Sequence, residues 1–208
     1  MLIPLDLLVK HFNLNIGGIL HIGAHECEEL NTYLKLGIKN ENIYWIEAME
    51  DKVNLMKKEK NAQIYQALID IEDDKEVKFN ITNNGQSSSI LEFGSHKTHH
   101  PHIKMVDSKQ LKTTRLDTFI EKNKIPIERL NFLNIDIQGK ELDALKSMDN
   151  YIQYVQYIYT EVNTEKVYKD CGLLSEIDEY LKEKGFIRVV CKMWGNCGWG
   201  DAFYVRQN

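Results

Sequence analysis

The chain has 208 residues, 43% of them hydrophobic and 27% charged, with three prolines and no low-complexity tract. That balance predicts a single domain over residues 1–208 with a continuous core, and excludes a disordered or fibrous chain. A net charge of −5 argues against a nucleic-acid partner held through a broad basic face, and suits a neutral or cationic small substrate.

The first 16 residues form a leading segment. Leu5 to Phe12 carries Leu7, Leu8, His11 and Phe12 at helical spacing and predicts an amphipathic helix. Pro4 and Asp6 interrupt the apolar start, which lacks a basic leader and a small-residue cleavage site, so no signal peptide is expected. No apolar run approaches the roughly 20 residues of a membrane span. The four cysteines (Cys27, Cys171, Cys191, Cys197) show no C-x-x-C pair and no zinc spacing. They fit reduced thiols in a soluble, cytoplasm-like setting.

Ile19 to Ile22 reads as a short buried strand running into a turn that needs a small residue at Gly23. A helix is expected from Glu26 to Leu36, with Leu30, Tyr33, Leu34 and Leu36 inward and Gly37 as its stop. Ile43 to Glu47 is a second strand ending in a carboxylate. A helix from Glu50 to Lys60 follows, with Val53, Leu55 and Met56 on its core side, and Ala62 to Ala67 is a third strand. This alternation is that of a parallel, doubly wound α/β sheet.

Residues 76–115 break the alternation and read as an insertion over the carboxyl edge of the sheet. Glu76 to Thr82 alternates polar and apolar residues as a half-exposed antiparallel strand does. Asn83-Asn84-Gly85 is a turn, and Ser87 to Leu91 is expected to return as a second strand. Phe93 to Val106 is loop-like and rich in histidine (His96, His99, His100, His102). Lys112 to Leu116 is a short strand leading into a helix through Phe119 and Ile120. Leu130 to Asp136 is the fourth parallel strand, followed by a helix from about Gly139 with Leu142, Leu145 and Met148 inward. Tyr157 to Val162 is the fifth strand, Leu173 to Lys184 a helix, and Phe186–Lys192 with Ala202–Arg206 a closing hairpin.

In an open parallel sheet, nucleotide-like ligands sit at the carboxyl ends of the strands. Glu47, at the tip of the second strand, is placed to accept the two hydroxyls of a ribose. His25 and Cys27 replace the later glycines of a G-x-G-x-x-G turn, which disfavours a dinucleotide pyrophosphate. A nucleoside without phosphates, such as S-adenosylmethionine, needs that close backbone approach less. A ligand so seated touches His21, Gly23, Ala24 and His25 at the first strand, Glu47 and Ala48 at the second, Ala67 at the third, and Asp136 at the fourth.

Asp136 is the candidate base for removing a hydroxyl proton; its alternative role is to cap the helix that follows. Glu161 ends the neighbouring strand. Two carboxylates at adjacent strand ends can bind sugar hydroxyls, share a proton or hold a divalent metal; no metal is predicted, and the histidines lack structural-zinc spacing. Gln138, Lys140 and His96 are candidate acceptor contacts, and His100 a second candidate base. Trp194, Trp199 and Tyr204 offer an aromatic wall, with Trp199 the one expected at the acceptor.

The order His21-Ile-Gly-Ala-His-Glu, Trp45-Ile-Glu47, Gln66-Ala-Leu-Ile-Asp70, Ser87-Ser-Ser89, Arg115-Leu-Asp117, Asn134-Ile-Asp136-Ile-Gln-Gly-Lys-Glu141 and Gly200-Asp-Ala-Phe-Tyr-Val-Arg206 resembles the FkbM family of S-adenosylmethionine-dependent O-methyltransferases. Family members more often carry an acid at His21, Asn at His25 and Gly at Cys27. The resemblance implies a Rossmann-like class I methyltransferase fold with a mostly parallel seven-stranded sheet, helices on both faces, and a last strand inserted antiparallel. It also implies that Ser87, Ser88 and Ser89 meet the methionine carboxylate of S-adenosylmethionine, with S-adenosylhomocysteine as product. The acceptor it implies is a hydroxyl of a sugar, a glycan or a similar polar metabolite. Two rivals are an NAD-type oxidoreductase, since a glycine turn with Glu47 also serves NAD, and a methyltransferase-fold binding module without activity.

Overall fold

The computed structural model describes residues 1–207. The chain opens with α1 (Leu5–Phe12), β1 (Ile19–Ile22), α2 (Leu30–Lys35), β2 (Ile43–Glu47), α3 (Glu50–Lys60) and β3 (Gln63–Gln66). A second group follows: β4 (Leu68–Ile69), β5 (Glu76–Thr82), the one-turn α4 (His96–His99) and β6 (Met105–Thr114). The chain then completes its main sheet with α5 (Leu116–Asn123), β7 (Phe132–Ile135), α6 (Glu141–Ser147), β8 (Tyr157–Asn163), α7 (Leu174–Glu183), β9 (Phe186–Met193) and β10 (Trp199–Arg206).

The main sheet has seven strands in the order β3-β2-β1-β7-β8-β10-β9. Its first five are parallel, and β10 runs antiparallel to both neighbours. Strand β1 lies at the topological switch point, its Ile22 level with Ile46 of β2 and Ile135 of β7. Alternation along the strands serves both layers, as a doubly wound sheet requires. Ile19, Trp45, Phe132 and Phe203 pack against Leu5 and Leu8 of α1, Tyr33 of α2 and Val53 and Met56 of α3. Leu20, Ile22, Leu133 and Ile158 pack against Phe119 of α5, Leu145 of α6 and Leu181 of α7. The insertion adds a three-stranded sheet, β4-β6-β5, over the carboxyl edge.

Four expectations need correcting. The helix after β1 begins at Leu30, not Glu26, because His25 and Cys27 lie at φ of 43° and 49° and turn the chain through the left-handed region. Leu34 and Leu55 point outward, 43% and 38% exposed, while Tyr33, Val53 and Met56 fill the core. Ser87 to Leu91 makes one isolated bridge, Asn80 to Ser89, and no strand. The partner of β5 is instead the ten-residue β6, which begins at Met105, near the end of the expected loop, and extends to Thr114. Both faces of β6 meet solvent over most of its length, so hydrophobic alternation gives no sign of it.

Candidate functional site

The site is built where β1, β2, β7 and β8 end and the antiparallel β10 begins. Gly23, at φ 88°, lets the chain pass against β7: a Cβ there would lie 1.7 Å from the carbonyl oxygen of Asp136. The amides of Gly23 and Ala24 donate to the carbonyl of Ile46 at 2.9 and 3.0 Å, and the Asp136 amide donates to Ile22 at 2.9 Å. The turn is thereby stitched to both neighbours. The Glu47 carboxylate accepts the His25 amide on one oxygen (2.7 Å) and the Met49 amide on the other (2.9 Å). Burial raises its carboxyl above the ordinary range, against the pull of these two amides.

Two cavities meet at this edge. One, of about 630 Å³, is lined by Glu47, Ala48, Met49, Ala67 and Lys140, by Ser88 and Ser89, and by an apolar slot of Ile46, Leu68, Ile69, Phe79, Ile90 and Ile137. The other is an open polar cleft of about 1270 Å³, lined by His21, Glu28, Glu29, Ser87, His96, His100, Glu161, Tyr168, Trp199 and Asp201 among others. Gly23, His25, Gln86, Asp136 and Gln138 belong to both. Asp136 therefore stands at the boundary.

In the polar cleft, the carboxylate of Asp136 is open to solvent while Glu161 is buried. Although one side of Asp136 is open to the cleft, desolvation by the surrounding protein and then the nearby Asp201 carboxylate raise its carboxyl above the ordinary range. Burial raises Glu161 further, and Asp136, Glu141 and Asp201 add to it. The Gln138 amide donates to Asp136 (2.6 Å) and to Glu161 (2.9 Å). Oxygens of Asp136, Glu141 and Glu161 lie within 4.8 Å of one another. Both oxygens of Glu141, however, accept backbone amides of Ile137 and Gly139 at 3.0–3.1 Å, so this acid clamps the loop between β7 and α6. Of these three acids, only Asp136 and Glu161 line the cleft. Asp201 accepts the Tyr159 hydroxyl and the Leu2 amide.

Of the expected cofactor contacts, Gly23, His25, Glu47, Ala48, Ala67, Ser88, Ser89 and Asp136 line the first cavity. Three do not. His21 stacks on Trp45 (ring centroids 4.6 Å apart), meets the Tyr33 hydroxyl at 3.0 Å and lines the polar cleft instead. Ala24 is buried beneath the turn, and Ser87 faces the polar cleft. Of the expected acceptor contacts, Gln138, Glu161, His96, His100 and Trp199 line the polar cleft. Lys140 does not: it pairs with Asp70 at 2.7 Å and with Asp143, at the first cavity.

The histidines diverge. His100 Nε2 accepts the Trp199 indole N–H at 3.3 Å, and His99 pairs with Glu165 at 2.8 Å. Asp136 does not cap α6, whose first residue is Glu141, because Gln138 and Gly139 take left-handed conformations. Tyr204 lies in the core with its hydroxyl on Asp178.

Sequence reasoning missed Asp201, Tyr168 and Gln86. Asp201 has one signal: in an antiparallel pair with β8 it stands opposite Glu161 and so shares its face.

The chain is similar to an O-methyltransferase from Bacillus cereus solved with S-adenosylhomocysteine (TM-score 0.55, 13% identity, 98% of this chain and 79% of that one). It is also similar to a ribosomal protein L11 methylase from Lactobacillus delbrueckii subsp. bulgaricus (TM-score 0.53, 10% identity, 98% and 77%). A putative tRNA (m1A22) methyltransferase from Streptococcus pneumoniae gives TM-score 0.51 at 12% identity, over 100% and 72%. These likenesses define the class: a Rossmann-like methyltransferase fold. The methyltransferase FkbM domain matches residues 21–188, and the chain belongs to that family of methyltransferases. A hexuronic acid methyltransferase, AglP, from Haloferax volcanii is 26% identical over 109 residues, 49% of this chain and 43% of that protein.

Proposed function

We propose that the protein is an S-adenosylmethionine-dependent O-methyltransferase acting on a hydroxyl of a sugar or a similarly polar metabolite. The observation that carries this reading is the meeting of the two cavities at Asp136. The first cavity fits the cofactor. Each Glu47 oxygen takes one backbone amide, which leaves a lone pair on each for a ribose diol. The apolar slot beyond suits a base ring. When bound, S-adenosylmethionine supplies an electrophilic methyl group on a sulfonium sulfur.

The chain's own work is to bring an acceptor hydroxyl in line and to remove its proton. Asp136 takes that proton, and the raised position of its carboxyl suits a base working near neutral pH. Glu161, Asp201 and Trp199 orient the acceptor. Five carboxylates (Glu28, Glu29, Asp136, Glu161, Asp201) line the polar cleft together with no lysine or arginine side chain. That supports an uncharged or amine-bearing sugar over a carboxylated one, although AglP is named for a hexuronic acid.

An NAD reading is not favoured, because the turn after β1 lacks the phosphate glycines and no helix starts there. The test is to supply S-adenosylmethionine labelled in its methyl group together with fractionated glycans and polar metabolites. Label on a hydroxyl oxygen, with cofactor binding seen by calorimetry, is expected. Label on nitrogen, or no affinity for the cofactor, overturns the reading.

A further inference from the structure

We propose that Tyr168 and Gln138 form a positioning pair: the tyrosine hydroxyl fixes the Gln138 amide so that its NH2 holds the Asp136 and Glu161 carboxylates in their proton-accepting form. The proposal rests on the reading that Asp136 receives the acceptor's proton.

An amide NH2 has two hydrogens, and here both are used, one on Asp136 Oδ1 at 2.6 Å and one on Glu161 Oε2 at 2.9 Å. Gln138 therefore has no donor left for an acceptor molecule. Its Oε1 accepts the Tyr168 hydroxyl at 2.5 Å; the other oxygen near that hydroxyl is the Ser87 carbonyl at 3.3 Å. Tyr168 is 1% exposed, with its ring 5.7 Å from Phe93 and 5.5 Å from His96, so the hydroxyl is a fixed point. The backbone of Gln138 is held as firmly. It sits at φ 56°, and its carbonyl accepts the Ser89 hydroxyl at 2.8 Å. A non-glycine residue in that conformation persists only where its surroundings hold it. Tyr168 and Ser89, far apart in sequence, do so from two sides.

Among the described residues, the charged groups that act most strongly on the two acids disfavour their ionised form, with one exception. Glu141 faces them from the head of α6, Asp201 from β10 and Glu29 from the segment before α2, with the Tyr159 and Tyr168 hydroxyls beside them; the Met1 amino group alone is cationic. The two amide hydrogens act against that crowding. If the tyrosine hydroxyl is removed, the amide is free to rotate and turn its oxygen toward the carboxylates. A carbonyl oxygen beside a carboxyl group is accommodated when that group carries its proton, so protonation is favoured.

The experiment is a titration of protein carrying 13C-labelled Asp and Glu carboxyl groups, followed by NMR without cofactor or acceptor. Asp136→Asn and Glu161→Gln assign the two resonances. Tyr168→Phe is expected to raise the proton affinity of the pair about 3- to 10-fold, the worth of a lost hydrogen bond between neutral groups, with the thermal transition retained. Gln138→Leu should raise it at least as far, and adding Tyr168→Phe to Gln138→Leu should change nothing more, since the hydroxyl acts through the amide. An unchanged titration in Tyr168→Phe, or an equal shift with Gln138 already removed, overturns the proposal. Should Tyr168→Phe fail to fold, the titration of Gln138→Leu decides whether the amide holds the pair. No step requires turnover, so the outcome stands apart from the methyltransferase reading.

Discussion

Replacing Gly23 by alanine should separate the first strand from the fourth parallel one. The added Cβ would stand 1.7 Å from the Asp136 carbonyl oxygen, and folded proteins essentially never bring such atoms within 3.0 Å. The obstacle is backbone, so no rotamer change relieves it. An L-residue at φ 88° also carries roughly 1–2 kcal/mol of conformational strain. Backing off weakens two stitches, Asp136 amide to Ile22 and Gly23 amide to Ile46, each worth about 1 kcal/mol. The sum is about 3–4 kcal/mol, which for a domain of this size lowers the melting temperature by roughly 6–16 °C. Differential scanning calorimetry measures the fall, and titration of S-adenosylmethionine measures the companion loss of affinity. A melting temperature within about 2 °C of the wild type would refute the reasoning, because the close approach would then not exist in solution.

Glu47→Ala should weaken S-adenosylmethionine binding by about 1.5–3 kcal/mol, and an unchanged dissociation constant by calorimetry would remove Glu47 from the ribose. Asp136→Asn should lower turnover by about 10²–10⁴, while Glu161→Gln should mainly raise KM for the acceptor; near-normal turnover in Asp136→Asn with saturating acceptor would exclude it as the base. Burial holds His21 at about 4 against an ordinary 6.5, so between these values the unfolded chain binds more protons. Stability should therefore fall as pH drops from 6.5 toward 4, by up to about 3 kcal/mol from this residue. The buried carboxyls titrate in the opposite sense, so the measurement is the difference between wild type and His21→Gln, whose denaturant midpoints should decline less steeply with acid. Among matched sugars, a carboxylated acceptor should react more slowly than its neutral or amino counterpart; adding a carboxylate without effect on kcat/KM would mean that the acceptor does not enter the acidic cleft.

Where side-chain pattern and burial agree, the sequence reveals the structure residue by residue. Ile19–Ile22, Ile43–Glu47, Glu50–Lys60 and Glu76–Thr82 have the predicted bounds, because each carries a period that its surroundings use. The segment after β1 misleads for a physical reason. His25 and Cys27 occupy left-handed positions that Asn and Gly adopt at less strain, and those are the residues the family more often carries there. At these two positions the departures conceal a turn, so the segment reads as a helix start. Strand β6 is silent because solvent on both faces asks nothing of its side chains. Asp136, Glu161 and Glu47 are legible because strand ends project onto one edge in a parallel sheet. Asp201 and Tyr168 are not, since their place depends on an antiparallel register and on a loop that only tertiary packing fixes.

The position of β10 has a consequence for synthesis. It lies between β8 and β9 and carries Trp199 and Asp201 to the polar cleft, yet it leaves the ribosome after every other element of the sheet. A nascent chain that has released β8 already contains Glu47, the apolar slot and Asp136, and so holds the parts of the first cavity. The polar cleft still lacks a wall. It is completed only when the closing hairpin threads its second strand into the gap and brings Asp201 opposite Glu161. During elongation, capacity for the first ligand thus precedes capacity for the second.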